Sequence, residues 1–409
     1  MQSTQVISNR VALLIFLFLL PVGWLFPVVL SFFLFVVSMI NKDVKYSFLA
    51  TSFLVVFFSV VNLSKVVEGD LAWYLEDYAD FLYFGYFDYF SYDYRAKLTE
   101  PLYHFFSYIL SVLTGGSESY FVATVTFIIY YLSALFVAKI LLNVLAVSYS
   151  DDVVLVLVFF IFFGILFSQA LNLIRQYIAC VLLLLSFLFF FEGRNKRMFL
   201  FFILAFLTHN SVFVFLPLFL LGVVLVSRKL RDEGLLFSIF AAFFLGGVVA
   251  VIYIVSFFIF GQASRLYIDD GSVSWVVKSF DLILLLGMSF ALRNKAGTES
   301  GSRKLVLVYA YFSFVGFLVV SHYSEFLSLR YYFYMDFLRW IPFYFLLSAV
   351  SLNSLGKFLA LFVLFFSSIF YMNFRMEMSP FEYGFSFWDG VVFLPFGVFN
   401  YIDLFGLVG

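Results

Sequence analysis

Residues 153–191 read VVLVLVFFIFFGILFSQALNLIRQYIACVLLLLSFLFFF, and Arg175 is the single charge in these 39 positions. The run divides into Val153–Phe167 and Ile174–Phe191, separated by a polar interruption. Each piece approaches the roughly 20 apolar residues with which a helix crosses a hydrocarbon core. A guanidinium keeps its proton in a protein. At membrane depth it costs several kcal/mol unless something pairs with it or water reaches it. Arg175 is therefore the first candidate for function.

The rest of the chain repeats the pattern. Of 409 residues, 64% are hydrophobic and 12% charged, against roughly half and a quarter in an ordinary soluble protein. The composition predicts an all-α, polytopic integral membrane protein with about 11 to 13 transmembrane or half-spanning helices. It forms a single membrane domain over residues 1–409, without a soluble module. The 65 phenylalanines read, as an expectation, as generic lipid-facing filler. A net charge of −1 gives no reason to expect nucleic acid, and the lone Cys180 excludes an internal disulfide. No Cys/His cluster suggests a metal.

Loop charges orient the chain, because Lys and Arg are retained on the cytoplasmic side. The basic loops Asn41–Lys45, Gly193–Arg197, Ser227–Arg231 and Arg293–Lys304 are placed inside. Residues 64–100, with eight acidic against three basic side chains, form an outer acidic and aromatic loop. Pro101–Leu113 is too short to cross and reads as an interfacial or half-inserted helix. Phe199–Val226 lies between two basic loops and reads as a short hairpin with His209 at its outer turn. Asp70, Arg175, Gln176, His209, Arg265, His322, Glu325 and Arg330 then all fall on the outer side.

These residues suit chemistry on an anionic sugar carrier. Arg175 opens a helix, where unpaired N–H groups and the dipole favour phosphate and a guanidinium fork adds to them. A neutral imidazole such as His209 can accept a hydroxyl proton near neutral pH. Asp70, Tyr74 and Tyr78 share a helix face within Trp73–Tyr94, which holds 12 aromatic residues in 22. Such faces stack on sugar rings, although membrane proteins also use aromatic belts as anchors. Glu100 precedes Pro101 at a helix start, where complementing the dipole is reason enough for a carboxylate. Arg330 could hold a second phosphate. Arg339, next to Trp340, reads as an interfacial anchor.

The order of motifs carries a resemblance. Gly69-Asp70-x-x-x-Tyr74, Glu100-Pro101-Leu102-Tyr103, Asn172-Leu173-Ile174-Arg175-Gln176-x-x-Ala179, Thr208-His209-Asn210-Ser211 and Leu329-Arg330-Tyr331-Tyr332 follow one another. The set resembles the EpsG/Wzy-type polymerases of bacterial surface polysaccharides, including O-antigen polymerases. Trp388–Tyr401 only loosely echoes the Pro- and Tyr-rich C-terminal segment of that group. The resemblance implies a metal-independent, cofactor-free glycosyltransferase with the architecture of membrane-embedded, lipid-linked-donor enzymes. It would work at the periplasmic face of a bacterial inner membrane, on undecaprenyl-pyrophosphate-linked glycans as donor and acceptor. A flippase and a chain-length regulator would be its partners. Arg175 and Arg330 would bind pyrophosphate, and His209 or Asp70 would be the base. Gln176, Asn172 and Tyr74 would orient sugar or phosphate oxygens, with Glu100 and Arg265 completing the binding set. A lipid-linked oligosaccharide flippase, an O-antigen ligase and a sugar O-acyltransferase remain alternatives.

Overall fold

The computed structural model describes residues 26–92, 100–145, 147, 151–216, 218, 219, 244, 275–293, 300–320, 325–350, 352–377 and 383. Several expectations lie outside them: the N-terminal half of Val11–Ile40, the loop Ser227–Arg231, the span Leu235–Phe260, Arg265, His322 and Trp388–Tyr401. The described residues are helical, with no strand among them. Four helices are long and apolar enough to cross a membrane, α2 (Val44–Leu63), α6 (Glu118–Asn143), α8 (Ile174–Phe191) and α14 (Ser354–Glu377). The remaining helices are α1 (Pro27–Asn41), α3 (Asp70–Asp80), α4 (Tyr86–Tyr92), α5 (Pro101–Thr114), α7 (Asp151–Phe159), α9 (Asn195–Thr208), α10 (Trp275–Arg293), α11 (Ser300–Val320), α12 (Glu325–Leu338) and α13 (Trp340–Val350). The all-α, polytopic membrane reading holds.

Small polar side chains join the helices, as expected where lipid tails are as apolar as leucine and hydrophobic burial cannot drive association. Ser31 Oγ donates to Ala50 O at 2.8 Å and Ser38 meets Ser47 at 2.6 Å, joining α1 to α2. Asn62 Nδ2 donates to Thr126 Oγ1 at 3.0 Å between α2 and α6. Between α8 and α9, Ser186 Oγ donates to Met198 O at 2.9 Å. The turn joining those two helices requires glycine: Gly193 sits at φ 74°, with its N–H on Phe190 O and that of Arg194 on Phe189 O. This pairing closes the helix C-terminus and satisfies two of its last carbonyls.

Charges at the helix ends sort the bundle into two faces. On one, Lys42 pairs with Asp151, Lys357 Nζ lies 2.7 Å from Asp152, and Lys304 Nζ donates to Phe190 O and Phe191 O at the end of α8. The last contact sets a cation on the negative end of a helix dipole. On the opposite face stand the start of α8, the end of α2, α3, the start of α5 and the end of α9. The short helix α5, 14 residues long, is not among the helices long and apolar enough to cross a membrane. It starts beside Arg175, and its last turn is held on α3 by Ser111 Oγ donating to Tyr78 O at 2.7 Å.

Two local expectations are corrected, the outer-loop placement of Arg330 and the anchor role of Arg339. Arg330 lies within helix α12, not in a loop. His209 does stand where α9 ends, as expected, and extended backbone there leads into a 3-10 segment, Asn210–Phe215. Arg339 is no interfacial anchor, because its side chain is 11% exposed. It is clamped between Asp281 of α10 and Asp336 of α12.

Lys65 closes the same face as Arg175. It is buried between α2 and α3, where its Nζ donates to Ser168 O at 2.9 Å and lies 5.9 Å from the Tyr383 ring. Burial pushes its ammonium down to about 8, while Glu68 pulls the other way. Between that value and 10.5 the folded chain binds fewer protons than the unfolded one, so stability should rise with pH across this window. Below it the penalty is fully present. Melting of the detergent-solubilised protein at pH 7.5 and 9.5 should show this gain in wild type and not in Lys65→Met. An equal gain in both would assign the titration to another group.

Candidate functional site

The site is assembled from four chain segments that are remote in sequence. The stretch between α7 and α8 delivers the first. There the backbone N–H of Leu166 donates to Tyr177 Oη at 3.0 Å, which ties the loop to the helix it feeds. Helix α8 begins without a side-chain cap, and Arg175 is its second residue. Gly69 supplies the second segment. Its φ of 58° and ψ of −136° are accessible only without a Cβ, and they turn the chain into α3 so that Tyr74 is buried one helical turn along. The third segment is Glu100, immediately ahead of Pro101 in the first turn of α5. The fourth is the end of α9, where His209 leaves the helix with its N–H still bonded to Ala205 O.

Glu100 joins them. Its side chain is 3% exposed, and both carboxylate oxygens are engaged. Arg175 NH1 donates to Oε2 at 2.7 Å, while His209 Nδ1 lies 2.8 Å from Oε1 and the Asn210 N–H approaches the same oxygen at 3.4 Å. Arg175 Nε donates to Tyr74 Oη at 3.3 Å, and the guanidinium lies 5.3 Å from the Tyr74 ring and 6.0 Å from that of Tyr103. Burial pushes the Tyr74 phenol up, with Arg175 opposing, so it remains a neutral hydroxyl. A buried carboxylate with two charge-assisted partners meets the condition under which ionic groups persist away from water. The Arg175 side chain keeps 15% exposure, so the cation is not sealed in.

The expected residues divide accordingly. Arg175, His209, Glu100 and Tyr74 are brought together. Asp70 opens α3 and acts electrostatically on Tyr74, but makes no hydrogen bond or ion pair among the described residues. Gln176 is buried beside Arg175 in α8. Asn172, 4% exposed and three residues before Arg175, has no hydrogen-bond partner for either amide atom among the described residues. A buried amide in that state is either strained or waiting for a ligand. The side chain of Arg330 and all of Arg265 lie outside the described residues. No group of three His, Cys, Asp or Glu side chains that could hold a metal ion stands among the described residues.

A second ionic centre went unread in the sequence. Arg339 forks onto Asp281, with Nε to Oδ1 at 2.8 Å and NH2 to Oδ2 at 3.1 Å. Its NH1 pairs with Asp336 and reaches Tyr332 Oη at 3.2 Å. Asp281 interrupting an apolar run, and Asp336 three residues ahead of Arg339, were the available signals. Helix α12 connects this centre to the first, since Tyr334 Oη meets Ser211 Oγ at 2.5 Å, two residues past His209.

The two faces, the apolar spanning helices and the Arg–Glu–His cluster define a membrane protein with a charged, partly open site at one end of its bundle. The sequence pattern of the EpsG family matches residues 78–388, well over half of the chain, and the protein belongs to that family. This is an EpsG/Wzy-type polysaccharide polymerase family, so the protein is a polymerase-type, glycosyltransferase-like enzyme of polysaccharide biosynthesis. Comparison with curated proteins and with solved structures gave no match.

Proposed function

We propose that the protein joins undecaprenyl-pyrophosphate-linked oligosaccharide repeat units into O-antigen or a related surface polysaccharide, at the periplasmic face of a bacterial inner membrane. The observation that carries this reading is the Glu100 carboxylate held by Arg175 on one oxygen and by His209 on the other. Glycosyl transfer from a lipid pyrophosphate needs a fixed cation for the leaving group and a base for the incoming hydroxyl. That pairing supports both needs within one cluster.

In the reaction the bond from the donor's anomeric carbon to pyrophosphate oxygen breaks, and its electron pair leaves on the pyrophosphate. Arg175 meets that developing charge, which can be the largest single catalytic term. The acceptor oxygen bonds to the anomeric carbon and gives up its proton to His209. With Nδ1 held on Glu100, Nε2 is the nitrogen that takes the proton, and the carboxylate stabilises the resulting imidazolium. This favours His209 over Asp70 as the base. Asn172 and Tyr74 supply hydrogen bonds to sugar or phosphate oxygens, and Gln176, Arg330 and Arg265 extend the binding set. The scheme is that of a metal-independent glycosyltransferase, supplied by a flippase and limited by a chain-length regulator.

Deleting the gene and resolving surface polysaccharide by electrophoresis tests the reading. The expected product is lipid capped with a single repeat unit. Complete absence of repeats would favour a flippase or ligase, and normal ladders would remove all three. In complementation, Asp70→Asn should restore ladders while His209→Gln should not.

A further inference from the structure

We infer that Glu100 is a counter-ion shared by Arg175 and His209, and that a diphosphate binding to Arg175 hands it over to His209. The base then strengthens only once the donor is in place. The inference rests on the proposed glycosyl transfer and concerns its order of events.

The geometry forces the competition. One carboxylate serves two basic groups at 2.7 and 2.8 Å, on separate oxygens. The side chains of Glu100 and His209 are 3% and 8% exposed, so water screens their interaction weakly. While Arg175 stays on Glu100, the guanidinium cancels most of the field that the carboxylate exerts on the imidazole. Arg175 is the most exposed of the three at 15%, so an incoming anion reaches it first. A diphosphate offers more charge than a carboxylate and fits the same planar fork. Once Arg175 turns to it, the guanidinium no longer opposes the Glu100 charge at His209, and the imidazolium is favoured.

Around His209 and Glu100 stand Arg175 of α8, Tyr74 and Asp70 of α3, Tyr103 of α5 with Asp77 acting on it, and Tyr334 of α12 through Ser211. Burial raises the phenols of Tyr74 and Tyr103, so both stay neutral hydroxyls, and Asp70 acts on Tyr74. Glu100 is thus a positioning residue: it acts on the acceptor proton through His209 and on the leaving group through Arg175.

The chain has three histidines, which makes a direct measurement practical. The full-length protein, labelled with carbon-13 and nitrogen-15 histidine and held in lipid nanodiscs, is titrated by NMR. His209 is identified by the signal missing from His209→Gln. The probe is a polyprenyl diphosphate without sugar, and its binding is followed separately by the phosphorus-31 shift of the diphosphate. On binding, the His209 midpoint should move up by roughly one pH unit or more in wild type. It should not move in Glu100→Gln. In Arg175→Gln the midpoint should already be raised without the probe and should stay there when it is added. Binding with an unmoved wild-type midpoint overturns the inference and leaves the proposed function standing. An equal rise in Glu100→Gln also overturns it, because the diphosphate then acts on the imidazole directly. A probe that does not bind wild type at all removes the inference together with the reading beneath it.

Discussion

Arg175→Ala should end polysaccharide chain growth while the protein still reaches the membrane. Losing one preorganised donor to a developing oxyanion costs about 10²–10³ in rate. Arg175 also carries a full charge and a fixed fork, so a loss of at least about 10³-fold is expected. Removing one partner of a buried ion pair can itself unfold a protein, but here the stranded group retains support. Glu100 keeps His209 Nδ1 and the Asn210 N–H, and protonation of the imidazole can neutralise the carboxylate. Arg175→Lys should also fail, since an ammonium cannot span Tyr74 Oη and Glu100 Oε2 as Nε and NH1 do. The measurement is the length distribution of surface polysaccharide alongside the amount of tagged protein in the membrane fraction. Long chains at wild-type levels in Arg175→Ala would take Arg175 out of the site. If the variant protein is depleted instead, Glu100→Ala should be added. The double variant removes the stranded charge, so it should recover protein without recovering polymer.

That Arg175 and His209 share a face was legible in sequence because loop charge settles which helix ends lie together, and both residues lie at such ends; Asp70 and Arg330 were expected beside them, while Tyr74 is the partner observed. The hub was not legible. Glu100 lies 75 residues from Arg175 and 109 from His209, and no periodicity links them. A carboxylate before Pro101 already has a sufficient local explanation in the helix dipole, so nothing in its neighbourhood demanded a second one. The same failure produced the error at Arg339. Beside Trp340 it looked like an interfacial anchor, while Asp281 stood 58 residues upstream in another helix. Asn172 is a different case: the family resemblance implied a ligand contact, but only folding could make it 4% exposed with no hydrogen-bond partner among the described residues. Local sequence reports what a helix end is made of. It does not report which distant helix end it will meet.

The two ionic centres make opposite demands, which Arg339 can expose. Around Arg175 one cation faces one carboxylate, with residual access from outside. Around Arg339 one guanidinium serves two carboxylates, Asp281 and Asp336, whose side chains are 8% and 6% exposed. Every donor position used there is directed at a partner in α10 or α12, and Tyr309 Oη of α11 completes the Asp281 shell at 3.4 Å. The centre therefore locks three helices and offers no cation to a ligand. Arg339→Met leaves two uncompensated carboxylates and should cost about 3–5 kcal/mol, a large fraction of the stability of an average domain. Its expected result is loss of protein from the membrane fraction. Replacing the whole centre, Arg339→Met with Asp281→Leu and Asp336→Leu, should restore the protein, because buried ion pairs are often no better than apolar residues of similar volume. Polymer should return with it, through the intact Tyr334–Ser211 contact that braces the His209 turn. Should Arg339→Met instead accumulate normally and lack polymer, the second centre would belong to the chemistry and α12 would carry more than a brace.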